Sequence, residues 1–501
     1  MQYAIGLDNG GTMTKAAIFD ISGREICTAS QKTPVFSPKP GYSERDMEEI
    51  WHANCQCIRD VLSNSNISPK DIIGLAVCGH GKGLYLWGKD NKPAYHGIGS
   101  TDNRAWRIVE TWEQNGIFQK LYPQLCQKLM ACQQAPLLKW MKTFHPDVYE
   151  NIQYVFSVKD YIRYRLTGEA WSEVTDISGS GLMDVQNGCF DKALLAELGI
   201  EEVYDKLPPL THSAESCGVI TKEAAALTGL LEGTPVAGGM FDVDACAIAS
   251  GVTKPGQICT ISGTWSINEF ISEKTITGTA IAMNSIYAIP GYYLLEESSA
   301  TSAGNLEWAI ENCIETNGQT GKVLYDALNA QVAEIPPEEC EVYYLPFLYG
   351  SNAHPLAKAC FVGLTSYHTN AHMVRAIYEG VAYSHRTHID RLLSVAKDPG
   401  CIRMAGGAVN SKVWVQMFAD VLGCDIETVD GVTELGALGC AMAATVAAGV
   451  YASYEEAASQ MVHINPPVQA NPKRHEIYNK KYQTYTAVVN ALNTVWNQFE
   501  V

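Results

Sequence analysis

Gly6-Leu7-Asp8-Asn9-Gly10-Gly11-Thr12-Met13-Thr14-Lys15 joins two apolar runs, residues 3–8 and 13–20, through a glycine turn. Apolar runs that meet at adjacent glycines predict a β-hairpin. The turn also gathers groups suited to an anion. Its glycines let backbone N–H groups approach closely, Thr12 and Thr14 offer hydroxyls, and Lys15 offers positive charge. Asp8 is placed to hold Mg²⁺, directly or through water. An ordinary tight hairpin would contain the same residues. The spacing is not that of a Walker loop, because no Lys-Ser/Thr follows at the required interval.

The pattern returns once. Gly251-Val252-Thr253-Lys254-Pro255-Gly256 is a Gly/Pro-rich joint, and Gln257-Ile258-Cys259-Thr260-Ile261-Ser262-Gly263-Thr264-Trp265-Ser266-Ile267 again reads strand, glycine turn, strand. The expectation is two similar domains, 1–252 and 253–501, each opening on a hairpin. Ser262, Gly263 and Thr264 would offer N–H and hydroxyl donors from the second domain. Elsewhere the sequence predicts a helix from Met47 to Leu62, a buried strand from Ile72 to Cys78, mostly helix over 100–200, and a turn and short strand at Thr234–Gly239. Cys401–Ala405 reads as a strand ending in Gly406-Gly407, and Ser411 N-caps a helix from Lys412 to Leu422. At that strand-to-helix junction glycines let a flat ring lie against the backbone, and the helix N-terminus favours anions. Gly406, Gly407, Asn410 and Ser411 are the candidates there, with a plain turn as the alternative. From Tyr454 to Val501 the chain reads as mainly helical, broken at Asn465-Pro466-Pro467.

Composition narrows the function. A chain of 501 residues that is 47% apolar supports at least two domains. A net charge of -18 argues against a nucleic-acid groove or a basic membrane-binding surface. Any ATP site must therefore attract the nucleotide locally, through backbone N–H groups, a lysine and a metal ion. The 16 cysteines form no Cys-x-x-Cys pair, so buried reduced thiols in a cytoplasmic protein are expected rather than a zinc site. The N-terminus turns polar at Asp8, unlike a signal peptide. Residues 436–450 are uncharged but rich in Ala and Gly, which predicts a close-packed helix rather than a membrane span.

Two further segments carry chemistry. Cys78-Gly79-His80-Gly81-Lys82-Gly83 follows the predicted strand and presents His80 and Lys82 on a thin backbone suited to a small polyhydroxy ligand. Asp102 and Arg104 are candidates for the same site, or form a surface ion pair. In Gly238-Gly239-Met240-Phe241-Asp242-Val243-Asp244, Asp242 stands behind two glycines with room for a ligand. It is the candidate general base, with Asp244 as its rival. On a helix the two point to different faces, so only one meets the substrate. His385 and His388 have metal-ligand spacing but no third ligand, and read as ordinary helix residues. A proton acceptor beside phosphate-binding loops points to phosphoryl transfer onto a hydroxyl.

In this order the motifs resemble the FGGY family of carbohydrate kinases, over nearly the whole chain. Ala359-Cys360-Phe361-Val362-Gly363-Leu364, followed after seven residues by His372-Met373-Val374-Arg375-Ala376-Ile377-Tyr378-Glu379, fits the family's second signature. The first fits partly at Pro136-Leu137-Leu138-Lys139-Trp140, with Lys142 in place of a later Trp. The resemblance implies an α/β fold of two actin-like, ribonuclease-H-like ATPase domains around a central cleft, the first binding sugar and the second nucleotide. It implies that Asp242 is the catalytic base, in preference to Asp244. Asp8, Thr12, Thr14 and Lys15, with Ser262, Gly263 and Thr264, would form the phosphate loops. Gly406, Gly407, Asn410 and Ser411 would form the adenosine segment, with Gly304 near the nucleotide. His80, Lys82 and Asp102 would face the sugar. Where this chain has Lys82, xylulose kinases carry His and glycerol kinases Glu. The chain is most similar to the L-xylulose kinase branch, sharing Glu44-Arg45-Asp46-Met47, the run at 81–84, and Leu345 to Ala353. The implied reaction moves the γ-phosphoryl of Mg·ATP to a hydroxyl of a ketopentose, with L-xylulose foremost. The alternatives are another pentulose, a polyol such as glycerol or erythritol, and an actin-like ATPase or a sugar-binding sensor without kinase activity. The expected partners are sugar and ATP, with no nucleic acid and no membrane, and a homodimer is the candidate assembly.

Overall fold

The computed structural model describes residues 1–277, 281, 283–316, 318–395 and 399–499. The chain folds as two compact α/β units. The first takes residues 1–255, 271–295 and 430–463, and the second takes 256–270, 296–429 and 464–501. The division near 252 is thus crossed twice, because residues 271–295 and 430–463 return to the first unit.

In the first unit β1 (Tyr3–Asn9) and β2 (Met13–Asp20) form the expected hairpin, and β3 (Glu25–Lys32) extends it. Helix α1 (Met47–Ser65) then carries the chain over the sheet, and β4 (Ile72–Gly79) returns parallel to β1. A parallel return requires such a crossover. β5 (Ser216–Val219) and β6 (Pro235–Ala237) complete the order β5-β6-β4-β1-β2-β3, and the short β7 (Met240–Phe241) also runs parallel to β4. Both faces of β1 are covered, which is why it reads as an unbroken apolar run. One face packs on α1, with Ile5, Leu7, Ile50, Trp51 and Val61 in a common core. Against the other lies the Ala/Gly-rich helix Leu435–Ala447, most of it buried. A Cβ on Gly6 would overlap the carbonyl of Ala437, so the helix approaches the strand at backbone distance. That contact explains the small residues of 436–450. Among the described residues no helix is long and apolar enough to cross a membrane.

The second unit repeats the plan. β8 (Ile258–Ser262) and β9 (Ser266–Ser272) form an antiparallel hairpin, and β10 (Cys401–Ala405) runs parallel to β8. With β11 (Asp425–Glu427) the order is β9-β8-β10-β11. Ser411 caps the helix Lys412–Leu422 as expected, accepting the Trp414 N–H at 3.1 Å. The cysteines are only partly buried as expected, since Cys189 and Cys313 are exposed.

Candidate active site

In the first unit the candidates collect at the C-terminal ends of parallel strands β1, β4 and β7, where open α/β sheets bind ligands. Register places Asp8 beside Cys78, Met240 beside Cys78 and Phe241 beside Gly79. Asp242 therefore follows directly next to the His80 loop. A Cβ on Gly81 would overlap the Phe241 ring, so loop and strand touch.

Asp242 is the first residue of helix Asp242–Ala249 and half-buried. Asp244 lies on another face and is fully buried, and its Oδ1 accepts the Ala288 N–H at 3.0 Å. Burial, then the charge of Glu173, pushes the Asp244 carboxyl well above the carboxylate range. The glycines before Asp242 serve the backbone rather than a ligand. A Cβ on Gly238 would overlap the His212 carbonyl, and one on Gly239, at φ +75°, the Val77 carbonyl.

On the hairpin, Asp8 and Lys15 are cross-strand partners, and Lys15 Nζ lies 2.8 Å from Glu434 Oε2. Asp8 is raised by burial, with Lys15 pulling the other way. Lys15 is raised although burial alone would lower it, because the hydrogen bond and charge of Glu434 and the charge of Asp8 outweigh burial. Thr12 is exposed at the turn. Thr14 does not join it. Its side chain is buried on the other face of the hairpin, where its hydroxyl donates to Asn9 Oδ1 at 3.1 Å, and Asn9 pairs with Asn54.

Two sugar candidates are likewise occupied within the chain. His80 Nδ1 is 3.2 Å from the Gly81 carbonyl, which can only accept, so Nδ1 carries the proton. Nε2 then accepts from Tyr85 Oη at 3.0 Å and Arg45 Nη1 at 3.3 Å. Burial, then Arg45, lowers the imidazole to about 3, so it is neutral and braces the loop with both nitrogens. Asp102 is buried and accepts from Ser43 N at 2.7 Å and from the backbone N, Nε and Nη2 of Arg104. Arg104 also pairs with Glu44 at 2.7 Å and lies over the Tyr42 ring. The pair is buried, not a surface bridge. Lys82 is half-buried at φ +64°, a conformation costly for a residue with a side chain.

In the second unit Ser262 ends β8 with its hydroxyl 3.0 Å from Ser302 Oγ, and Ser302 Oγ lies 2.8 Å from His385 Nε2. His385 Nδ1 faces Thr260 and Asn268, which makes this histidine a buried brace of the loop. Gly263 faces open space, while Gly304 begins the helix Gly304–Asn312 beside Thr264. Gly406, at φ +89°, packs on the Ser262–Gly263 peptide, so β8 and β10 deliver both turns to one place. Next to them is a cavity of about 520 Å³. Gly407, Asn410 and Ser411 line it as expected, and so do Tyr325, Asn329, Tyr378 and Trp414, which sequence reading missed. Tyr378 and Trp414 stack at 4.1 Å, and Ser411 and Tyr378 both donate to Asn329 Oδ1, at 2.6 and 2.9 Å. Tyr378 lies within the second signature and Trp414 three residues past the Ser411 cap, whereas Tyr325 and Asn329 stand near no sequence signal. A larger hollow of about 670 Å³ lies among Arg375, Asp420, Asn471 and Arg474. There Arg375 pairs with Glu379 and Arg474 with Asp420, and none of the glycine loops lines it.

The FGGY carbohydrate kinase N-terminal domain matches residues 3–249, and the C-terminal domain matches residues 259–448. The chain is 40% identical over 98% of its length, and 97% of the relative's, to the L-xylulose/3-keto-L-gulonate kinase of Escherichia coli. It is 36% identical over 99% of its length, and all of the relative's, to a probable L-xylulose kinase of Pasteurella multocida. The structure of xylulose kinase from Rhodospirillum rubrum superposes with a TM-score of 0.86 at 25% identity, covering 99% of this chain and 100% of that one. The chain belongs to the FGGY family of carbohydrate kinases and is an ATP-dependent sugar kinase.

Proposed function

We propose that the chain phosphorylates a hydroxyl of a ketopentose, with L-xylulose as the preferred acceptor. The observation that carries this is the placing of Asp242 beside the His80–Lys82 loop, on a chain 40% and 36% identical to kinases named for L-xylulose. The first unit supplies the sugar site and the second the adenosine pocket. Asp242 accepts the proton of the attacking hydroxyl as its oxygen bonds to the γ-phosphorus and the bond to ADP breaks. In the first unit Lys15 and the N–H groups of Gly10 and Gly11 suit phosphoryl oxygens, and in the second the N–H groups of Gly263 and Thr264 do so. The adenine ring fits the cavity at the Tyr378–Trp414 pair, where Gly407 leaves the wall open. Asp8 fits Mg²⁺, since a carboxylate held up by burial at a strand end suits an ion that takes one or two protein carboxylates, waters and phosphates. When bound, Mg²⁺ would neutralise charge on the β- and γ-phosphates. The protein would act in the cytoplasm.

A second acceptor is favoured by Lys82. A cation at a strained position of the sugar loop suits a keto-sugar acid, and the Escherichia coli relative is named for 3-keto-L-gulonate as well. ADP release measured with L-xylulose, D-xylulose, 3-keto-L-gulonate, glycerol and erythritol tests both readings. L-xylulose should give the highest kcat/KM. Preference for a polyol overturns the ketose assignment, and ADP release that no acceptor stimulates points to an ATPase or a sensor.

A further inference from the structure

The segment that presents Asp242 is held by a buried polar network. Helix Val158–Thr167 carries Lys159, Asp160 and Arg163, and Glu173 and Thr175 follow in the same unit, all five buried. Lys159 Nζ lies 2.9 Å from Asp160 Oδ1 and 3.1 Å from Glu173 Oε2. Arg163 lies 2.8 Å from Asp160 and also donates to the Gly238 carbonyl. The far end of the segment is held by Thr175, whose Oγ1 accepts the Phe241 N–H at 2.8 Å. An N–H can only donate, so the threonine proton points elsewhere, to Glu173 Oε2 at 2.6 Å. Glu173 also accepts the Thr175 N–H at 3.1 Å, which fixes the rotor.

Phe241 is the residue before the Asp242 helix, and that helix has no side-chain cap. Asp242 follows directly on the Phe241 peptide, and the Thr175 hydroxyl holds that peptide. We infer that Thr175 is a positioning residue for phosphoryl transfer, holding the Asp242 carboxylate in line with the acceptor hydroxyl through the Phe241 N–H. The inference rests on Asp242 being the base. A base displaced by about 1 Å can cost on the order of 10²-fold, and supporting hydrogen bonds exist to prevent such slack.

The test compares Thr175→Val, which keeps shape and loses the acceptor, with Thr175→Ser, which keeps the hydroxyl, alone and with Asp242→Asn. Thr175→Val should lower kcat by about 10- to 100-fold with KM for ATP within about twofold, and Thr175→Ser should retain kcat within about threefold. In the Asp242→Asn background Thr175→Val should cost less than about twofold further, because the group it positions is gone. Wild-type kcat in Thr175→Val, or the same fold-loss in both backgrounds, overturns the inference. Full activity of Asp242→Asn alone overturns the base assignment instead. If Thr175→Val does not fold by circular dichroism, Thr175→Cys, with a weak acceptor of similar size, is held to the same criteria.

Discussion

Replacing Asp242 and Asp244 separately by Asn should divide two carboxyls that stand two residues apart. Asp242 is half-buried at the first position of its helix and keeps access to a substrate. A carboxylate acting as general base contributes about 10²–10⁴-fold, or about 3–5 kcal/mol of transition-state stabilisation. Asp242→Asn should therefore lower kcat by at least about 10²-fold while KM for ATP stays near wild type. Asp244 is fully buried, and burial, then the Glu173 charge, raises its carboxyl well above the carboxylate range. An amide matches a protonated carboxyl in size and charge, and its oxygen still accepts the Ala288 N–H. Asp244→Asn should keep kcat/KM within about threefold. The assay is coupled ADP release at saturating ketopentose across a range of ATP. Asp242→Asn within about tenfold of wild type, or equal losses in both variants, refutes the assignment.

Asp176 is buried with Oδ2 unpartnered among the described residues, and burial raises it to about 7. A carboxyl raised in the folded state releases its proton on unfolding, so its stabilisation is complete below the unfolded pKa and is lost as pH rises towards the folded one. Between 3.8 and about 7 this amounts to about 4 kcal/mol, which Asp176→Asn should abolish in urea melts compared at pH 4 and 7. Gly239→Ala should lower the melting temperature far more than Gly233→Ala: both sit at positive φ, but only Gly239 would strike a carbonyl, that of Val77. Gly407→Val should raise KM for ATP about tenfold at unchanged melting temperature, because Gly407 faces the open cavity.

What the sequence revealed was local. The two hairpins, the strand Cys401–Ala405 and the Ser411 cap depend on neighbours a few residues away, and the structure places them where patterning does. Missed features depend on distant partners. Nothing near Thr14 announces Asn54, and nothing near Lys15 announces Glu434. His80 and Asp102 have the right chemistry for a sugar, but Arg45, Tyr85, Ser43 and Arg104 take up their polar atoms. The Gly238-Gly239 pair was read as space for a ligand, whereas it lets two carbonyls approach the backbone. The cavity wall of Tyr325, Asn329, Tyr378 and Trp414 comes from three helices with no shared motif.

The network behind Asp242 acts through the groups it holds in place. Lys159 and Arg163 face Asp160 and Glu173, with Asp176, raised by burial to about 7, beside them. The network fixes the Gly238 carbonyl and the Phe241 N–H at both ends of the segment. Its contribution is therefore geometric. Field effects from partly exposed charges weaken with salt, whereas a buried hydrogen bond does not. The kcat deficit of Thr175→Val should accordingly stay constant from low to high ionic strength, and a deficit that fades with salt would assign the network an electrostatic role.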